Sequence, residues 1–339
     1  MGPVTRDDPA AEETAQDVEV DQLERMPAAG QPLPTAAETP GHRKGTAVVD
    51  TQVDRALSTK QLAWRRFKRH KLAMIGTAIL LLLALACIFA PYLTPYDFHT
   101  QDLANPVVGP SLKHYFGTDV LGRDEFTRVL YGGRISLLVG LTVALSAGII
   151  GGVIGSVAGY YGRWIDNILM RVTDLFLSIP FLVTLIIASR ILGGSMIDII
   201  VILALFFWMY DARIVRGVFL SLKEKEFVEA AKASGASNSR IIFIHMLPNA
   251  MGPITVNVTL GVAAAILTES ALSFLGFGIQ PPTPSWGNML NDAQNFTQTA
   301  PWLVWFPGLA ILVTVLAVNY LGDGLRDALD PHQKLVGKE

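Results

Sequence analysis

The stretch LAMIGTAILLLLALACIFA at residues 72–90 decides the class of fold. It contains no charged residue, and an α-helix of this length covers about 28 Å, close to the ~30 Å of bilayer hydrocarbon. The preceding residues 64–71, WRRFKRHK, are strongly basic, as is typical of the cytoplasmic flank of a membrane-spanning helix. The sequence therefore predicts an all-α membrane protein, with nucleic-acid binding by the basic run as the less favoured alternative.

Further long apolar runs follow along the chain. Together they predict six spans at about residues 72–91, 135–158, 165–192, 196–212, 250–268 and 302–321. Hydrophobic residues make up 51% of the 339 residues and charged residues 17%, and the apolar residues lie in continuous runs rather than amphipathic stripes. This arrangement, more than the composition itself, predicts a polytopic membrane protein rather than a soluble domain.

Three regions are predicted along the chain. They are a disordered acidic, Pro- and Ala-rich extension at 1–57, a basic amphipathic helix at 58–71, and the six-span domain at 72–339. The extension has too few large apolar residues to offset its ordering entropy, and it lacks the features of a signal peptide. In the amphipathic helix, capped by Ser58 or Thr59, we expect Leu62, Trp64 and Phe67 to enter the membrane interface.

The distribution of lysine and arginine predicts the orientation. Six basic residues lie between the fourth and fifth spans: Arg213, Arg216, Lys223, Lys225, Lys232 and Arg240. Residues 279–301 carry none, whereas the loop at 96–134, with four, is the one discordant segment. Because cytoplasmic loops are enriched in these residues, both termini and the loop at 220–248 of this multi-pass protein are predicted to be cytoplasmic.

Several function classes are disfavoured by what the sequence lacks. Cys87 is the only cysteine, which excludes an intrachain disulfide and a Cys-rich metal site. The chain has no G-x-x-x-x-G-K-[ST] phosphate loop, HExxH or GxSxG motif, so we expect no catalytic residue, no metal and no cofactor in it. No charged cluster falls at the middle of a span, which argues against a carrier that uses an ion gradient.

The polar stretch EFVEAAKASGASNSRIIFIHMLPN occupies residues 226–249. It predicts a short helix ended by Gly235 and a second helix capped by Ser237 or Asn238. Its small alanine face suits docking in a groove of another protein. From the residues alone, such a docking helix and a plain solvated loop remain equally open.

The spacing of Glu229, Ala230, Ala231, Gly235 and Leu247-Pro248 resembles the EAA loop of ABC importer permeases. Three other stretches are similar to the C-type permease subunit of the dipeptide, oligopeptide and nickel branch. They are residues 64–95, residues 114–140, and residues 269–278 followed by 284–287. In addition, His245, Pro248 and Asn249 match the HxLPN ending of that branch. The resemblance covers most of the chain from about residue 62 onward.

This resemblance implies the type I ABC importer permease fold and three sets of candidate residues. The coupling helix, which would contact an ATPase subunit, comprises Glu226, Phe227, Glu229, Ala230, Ala231, Ser234 and Gly235. Candidates for docking an extracytoplasmic binding protein are Asp119, Arg123, Asp124, Pro284 and Trp286. Candidates for the translocation path are Trp208, Thr255, Asn257, Thr259 and Glu269.

The resemblance also implies a location in the bacterial inner membrane and a set of partners. These are a second homologous permease, two ATPase subunits that hold ATP and magnesium, an extracytoplasmic peptide-binding protein and the lipid bilayer, with no nucleic acid. The implied function is uptake of di- or oligopeptides by alternating access. The alternatives are a nickel or glutathione permease of the same branch, a carrier or channel that acts alone, and a membrane anchor or assembly protein.

Overall fold

The computed structural model describes residues 59–330. Regular structure in this part is helical, apart from one isolated bridge between Thr118 and Asp124. The all-α fold class is therefore confirmed. The predicted extension at 1–57, the cap residue Ser58 and the residues after Asp330 lie outside the described part.

Ten helices organise the described residues. They are α1 Thr59–Arg69, α2 Lys71–Ile88, α3 Glu125–Tyr161, α4 Arg163–Ser178, α5 Phe181–Leu192, α6 Met196–Lys223, α7 Glu226–Ala233, α8 Leu247–Phe274, α9 Trp286–Ala293 and α10 Trp302–Leu329. Shorter segments accompany them: the turns Ala90–Leu93 and Asn238–Arg240, the π-helical Ile241–Met246 and the 3₁₀ turn Gln294–Phe296. The turn and the π-helical segment run directly into α8.

The basic helix α1 differs from the expectation in one side chain. Phe67 is buried against Ala73 and Ala328, so it packs between α2 and α10 instead of entering lipid. Trp64 is exposed, and the ammonium of Lys68 lies 5.0 Å from its ring centroid. The chain breaks between α1 and α2 at His70, whose Nδ1 accepts a hydrogen bond from the Ala73 N–H (3.1 Å).

Helix α3 begins ten residues before the predicted second span. Asp124 caps it, because its Oδ2 accepts a hydrogen bond from the Thr127 N–H (2.8 Å). The helix contains 37 residues, or about 55 Å, and therefore extends beyond the hydrocarbon core. It ends before Gly162, which adopts a φ of +64°.

The single helix predicted over residues 165–192 is replaced by two helices, α4 and α5. They are bent by 86° relative to each other. Pro180 explains the break, since it has no N–H and restricts the residue before it to an extended conformation. Ile179 adopts that conformation, with φ −80° and ψ 135°.

Four stretches of the described part are long and apolar enough to cross a bilayer: α2, α3, Asn238–Phe274 and α10. The bent pair α4–α5 would make a fifth if it forms one span. Helix α6 extends eleven residues beyond the predicted end at 212, and it carries Asp198, Asp211, Arg213 and Arg216 in addition to its apolar residues. The number six therefore stays a prediction.

Two glycine faces of α3 have different environments. A Cβ at Gly151 would lie 2.6 Å from the Trp208 carbonyl oxygen, and one at Gly155 would lie 2.9 Å from the Arg216 nitrogen. These glycines allow α3 and α6 to pack backbone to backbone. Gly152, on another face of the same helix, has no atom within 4 Å of its Cβ position.

This difference predicts opposite effects of two alanine substitutions. Gly155→Ala must push α6 away from α3, and we expect it to destabilise the protein by about 1–3 kcal/mol. Gly152→Ala meets open space and gains helix propensity, so its effect is expected to be neutral or stabilising by up to about 1 kcal/mol. Thermal unfolding in lipid nanodiscs compares the two variants, and equal melting temperatures would contradict the predicted packing.

Candidate functional site

Helix α7 ends in a defined turn. Gly235 has a φ of +77°, a conformation that favours glycine. Its N–H donates to the Lys232 carbonyl (3.0 Å), and the Ala236 N–H donates to the Ala231 carbonyl (3.1 Å). This pair of hydrogen bonds is the Schellman motif. The glycine in the sequence motif therefore has a structural role, because it turns the chain back towards α8.

One face of α7 is anchored in the protein. Val228 is fully buried in a cluster with Phe219 of α6, Tyr160 of α3 and Met246 of the π-helical segment. Ala231 is half-buried against the same cluster. This anchor fixes α7 simultaneously to the end of α6 and to the segment that leads into α8.

The other face of α7 is exposed. It presents six of the seven residues predicted for the coupling helix: Glu226, Phe227, Glu229, Ala230, Ser234 and Gly235. Ala231, the seventh of these predicted residues, is half-buried. The surface is available to another protein, and its contact with an ATPase subunit stays a prediction.

The segment after α7 is held by contacts that the sequence did not reveal. The Tyr160 hydroxyl at the end of α3 donates to Asn238 Oδ1 (2.8 Å). The wider π-helical turn places Ile241, Ile242 and Met246 in the buried cluster. No local pattern predicts this turn, because the same residues fit an ordinary α-helix.

The five docking candidates are all buried, so their side chains form internal contacts in this structure. Trp286 is fully buried and donates from Nε1 to the Val129 carbonyl (2.9 Å). Asp124 caps α3 and accepts a hydrogen bond or ion pair from His114 Nδ1 (2.9 Å). Direct contact with a partner therefore requires other residues on the same surface.

An ion network lies among these buried residues. Asp119 Oδ2 accepts from Arg123 Nε (2.6 Å) and from Arg128 Nη1 (2.5 Å). Asp292 of α9 lies 3.5 Å from Arg123 Nη2 and 3.4 Å from Arg128 Nη2. Burial raises the pKa of Asp292, and the charge of Arg123 opposes that shift. The network joins the loop before α3 to α9 and is named here the outer ion network, after the side of the membrane predicted for this loop.

Glu269 is fully buried near the C-terminal end of α8. Its carboxylate accepts hydrogen bonds from Ser273 Oγ (2.7 Å) and Ser136 Oγ (3.2 Å). These hydroxyls in turn accept from the backbone N–H groups of Ile279 (3.1 Å) and Trp286 (3.3 Å). Glu269, predicted for the translocation path, thus connects α3, α8 and the loop before α9.

The other path candidates do not share one cavity. Thr255 and Thr259 line an apolar groove of about 700 Å³ between α2, α3, α8 and α10. Thr259 Oγ1 donates to the Thr255 carbonyl of its own helix (2.8 Å). Asn257 instead donates to the Asp211 carboxylate of α6, and Trp208 is buried in a cluster between α3 and α6. A role of these residues in translocation stays a prediction.

The fold defines a helical protein with several candidate membrane spans, and α7 presents an exposed face at one end of α6. Residues 151–335 match the family described as binding-protein-dependent transport system inner membrane component, and residues 58–110 match the N-terminal TM domain of oligopeptide transport permease C. The chain belongs to the family of binding-protein-dependent transport system inner membrane components. It is an inner-membrane permease of the ABC importers, which act as complexes of several subunits.

Individual relatives are similar over most of their length. The chain is 47% identical to the dipeptide transport system permease protein DppC of Alkalihalophilus pseudofirmus over 279 residues, which cover 82% of this chain and 92% of that protein. It is 48% identical to the protein of the same name from Bacillus subtilis over 277 residues, or 81% and 87% of the two chains. The glutathione transport system permease protein GsiD of Escherichia coli O157:H7 is 44% identical over 272 residues, or 80% and 90%.

Proposed function

We propose that this chain is one of two different permease subunits of an importer that takes up di- or oligopeptides by alternating access. The proposal rests on the way α7 is attached to the rest of the protein. Its exposed face is available to a motor subunit, while Val228 and Ala231 attach its inner face to the structure that joins α6 and α8. A displacement of α7 is therefore transmitted to two helices at once.

The energy source lies in partner subunits. This chain has no phosphate loop, so we assign ATP and magnesium to two ATPase subunits that bind α7 and its counterpart in the second permease. Coupling requires that the ATPase pair contacts α7 differently in its two states. The hydrogen bond between Asn257 and Asp211 joins α6 to α8, so these helices are expected to move together.

The orientation follows from the same assignment. Helices α2, α3, α5 with the end of α4, α6, α8 and α10 serve as six crossings, with both termini in the cytoplasm. Arg213, Arg216 and Lys223 on α6 favour a cytoplasmic position for its end, in line with the distribution of basic residues. The loops held by the outer ion network then face outward.

The binding protein is proposed to dock on the exposed surface above the outer ion network. Leu112 is 95% exposed at the tip of the loop before α3, where the Ser111 N–H donates to the His114 carbonyl (2.8 Å). Such a preformed apolar tip suits a protein partner, because little ordering entropy is lost on binding. The buried candidates Asp119, Arg123, Asp124, Pro284 and Trp286 support this surface from beneath.

Small peptides are the proposed cargo, since the relatives are named for dipeptides and for glutathione. The test compares uptake of a labelled dipeptide in cells with and without this chain. Unlabelled dipeptides and tetrapeptides, glutathione and Ni²⁺ serve as competitors. We expect loss of uptake without the chain and competition by peptides. Competition by Ni²⁺ alone, or unchanged dipeptide uptake without the chain, would contradict the proposed cargo.

A further inference from the structure

Helix α4 has two opposite faces, one buried in the protein and one exposed. Its inner face includes Asp166 and Thr173, which are buried against the rest of the protein. The face on the opposite side is entirely apolar and exposed, with Trp164 at 68%, Ile168 at 54%, Val172 at 45% and Leu175 at 62%. Helical spacing of three and four residues brings these four side chains into one stripe.

A polar edge separates the two faces along one side of α4. It consists of Arg163, Asn167, Arg171, Asp174 and Ser178, all of them exposed. A helix that crosses the hydrocarbon core has apolar residues wherever it meets lipid. An apolar stripe beside a charged edge is instead typical of a helix that lies in the membrane interface.

Two ion pairs define the direction of α4 relative to α6. Asp166 pairs bidentately with Arg216 (2.5 and 2.6 Å), and Asp174 pairs with Arg213 (2.5 Å). The two aspartates are separated by about 12 Å along α4, but the two arginines by only about 4.5 Å along α6. Helix α4 therefore runs across α6 rather than along it, in agreement with the 86° bend between α4 and α5.

The position of these ion pairs along α6 gives the depth of α4. Gly194, just before α6, accepts a hydrogen bond from the Gln280 N–H (3.2 Å), which places this end beside the loop that leads to α9. Arg216 lies twenty residues after Met196, which corresponds to about 30 Å, one thickness of hydrocarbon. Helix α4 is thus at the opposite boundary, the one at which α7 is displayed.

The charges of α4 favour a lipid surface. Both of its acidic residues are paired with arginines of α6, whereas Arg163 and Arg171 have no carboxylate partner within residues 59–330. Two exposed guanidinium groups beside an apolar stripe match the phosphate groups and acyl chains of an anionic leaflet.

We propose that α4 is an interfacial helix that lies along the inner surface of the bilayer. Trp164, Ile168, Val172 and Leu175 enter the acyl region, and Arg163 and Arg171 lie at the phosphates. The third crossing is then left to α5, whose 12 residues cover about 18 Å, and to the non-helical residues 179–180 and 193–195 at its two ends. Through its ion pairs, α4 would fix the depth of α6 next to the coupling helix.

Site-directed spin labelling tests this assignment in the full chain, assembled with cysteine-free partner subunits in liposomes that contain anionic lipid. Cys87 is the only cysteine and is buried, so Cys87→Ala gives a background for single cysteines. Labels at positions 164, 168, 172 and 175 report on the apolar stripe, and labels at 167 and 178 on the polar edge. Collisions with oxygen and with a water-soluble nickel chelate give the depth of each label.

An interfacial α4 predicts that labels on the stripe are accessible to oxygen and that those on the polar edge are accessible to nickel. The depth of the label in the bilayer should change by about 6 Å or less between positions 164 and 175, because the ion pairs advance only about 4.5 Å along α6 for every 12 Å along α4. A steady change of about 16 Å over these eleven residues would show that α4 crosses the bilayer and overturn the proposal. Stripe labels inaccessible to both reagents would equally overturn it, because protein would then cover this face.

Discussion

Ala230→Arg is expected to reduce ATP-driven uptake by at least about tenfold while the protein still inserts and folds. Ala230 lies on the exposed face of α7, and arginine is a good helix former, so the isolated chain loses no buried contact. In the complex, the added charge would be desolvated against the ATPase subunit at a cost of several kcal/mol. Each 1.4 kcal/mol of lost binding corresponds to a tenfold change in an equilibrium constant.

The measurement combines peptide uptake, ATPase co-purification and thermal unfolding for each variant. Asn167→Arg is the matched control, because it adds the same charge at an exposed position of α4. Uptake and ATPase binding should fall for Ala230→Arg and remain near wild type for Asn167→Arg, with melting temperatures unchanged in both. Normal ATPase binding and normal uptake in the Ala230→Arg variant would show that α7 is not the coupling site.

Asp119→Ala is expected to have the largest effect on stability. The substitution leaves Arg123 and Arg128 buried without their shared carboxylate, while Asp292 lies 3.4 Å or more from either guanidinium. Removal of one partner from a buried ion pair typically costs about 3–5 kcal/mol. The melting temperature and the amount of folded protein should therefore both decrease.

Asp102→Ala supplies the comparison from the same loop. Asp102 is half-buried, and its carboxylate accepts two hydrogen bonds at the protein surface, from Asn105 Nδ2 (3.0 Å) and from the Ala104 N–H (3.2 Å). Removal of such surface contacts typically costs no more than about 1 kcal/mol. If the two variants unfold at the same temperature, the outer ion network does not stabilise the fold as described.

The apolar runs made the main helices predictable, because lipid-spanning helices require long uninterrupted apolar segments. Their ends were less predictable. Helix α3 starts at Glu125 because Asp124 caps it, and α6 continues to Lys223 outside the apolar run. Pro180 marks the break between α4 and α5 in the sequence, but hydropathy alone does not reveal the 86° angle between these helices.

The candidate site was predictable only where the signal is local. Gly235 and the alanines of α7 stand in a recognisable spacing, and the structure gives that glycine the positive φ expected of it. The outer ion network joins Arg128 to Asp292, 164 residues apart, so no sequence window contains both. In the sequence, charged loop residues such as Asp119 suggested a contact surface. In the structure Asp119 is buried, which is possible because its carboxylate is paired with guanidinium groups.

The most direct test of the account is peptide uptake into proteoliposomes that contain both permeases and the two ATPase subunits, with binding protein outside and ATP on the ATPase side. We predict uptake that requires ATP hydrolysis and disappears when the ATPase subunits are inactive or when this chain carries Ala230→Arg. Uptake that continues without ATPase subunits, driven by an imposed ion gradient, would contradict the central claim that α7 connects this permease to an ATP-hydrolysing motor.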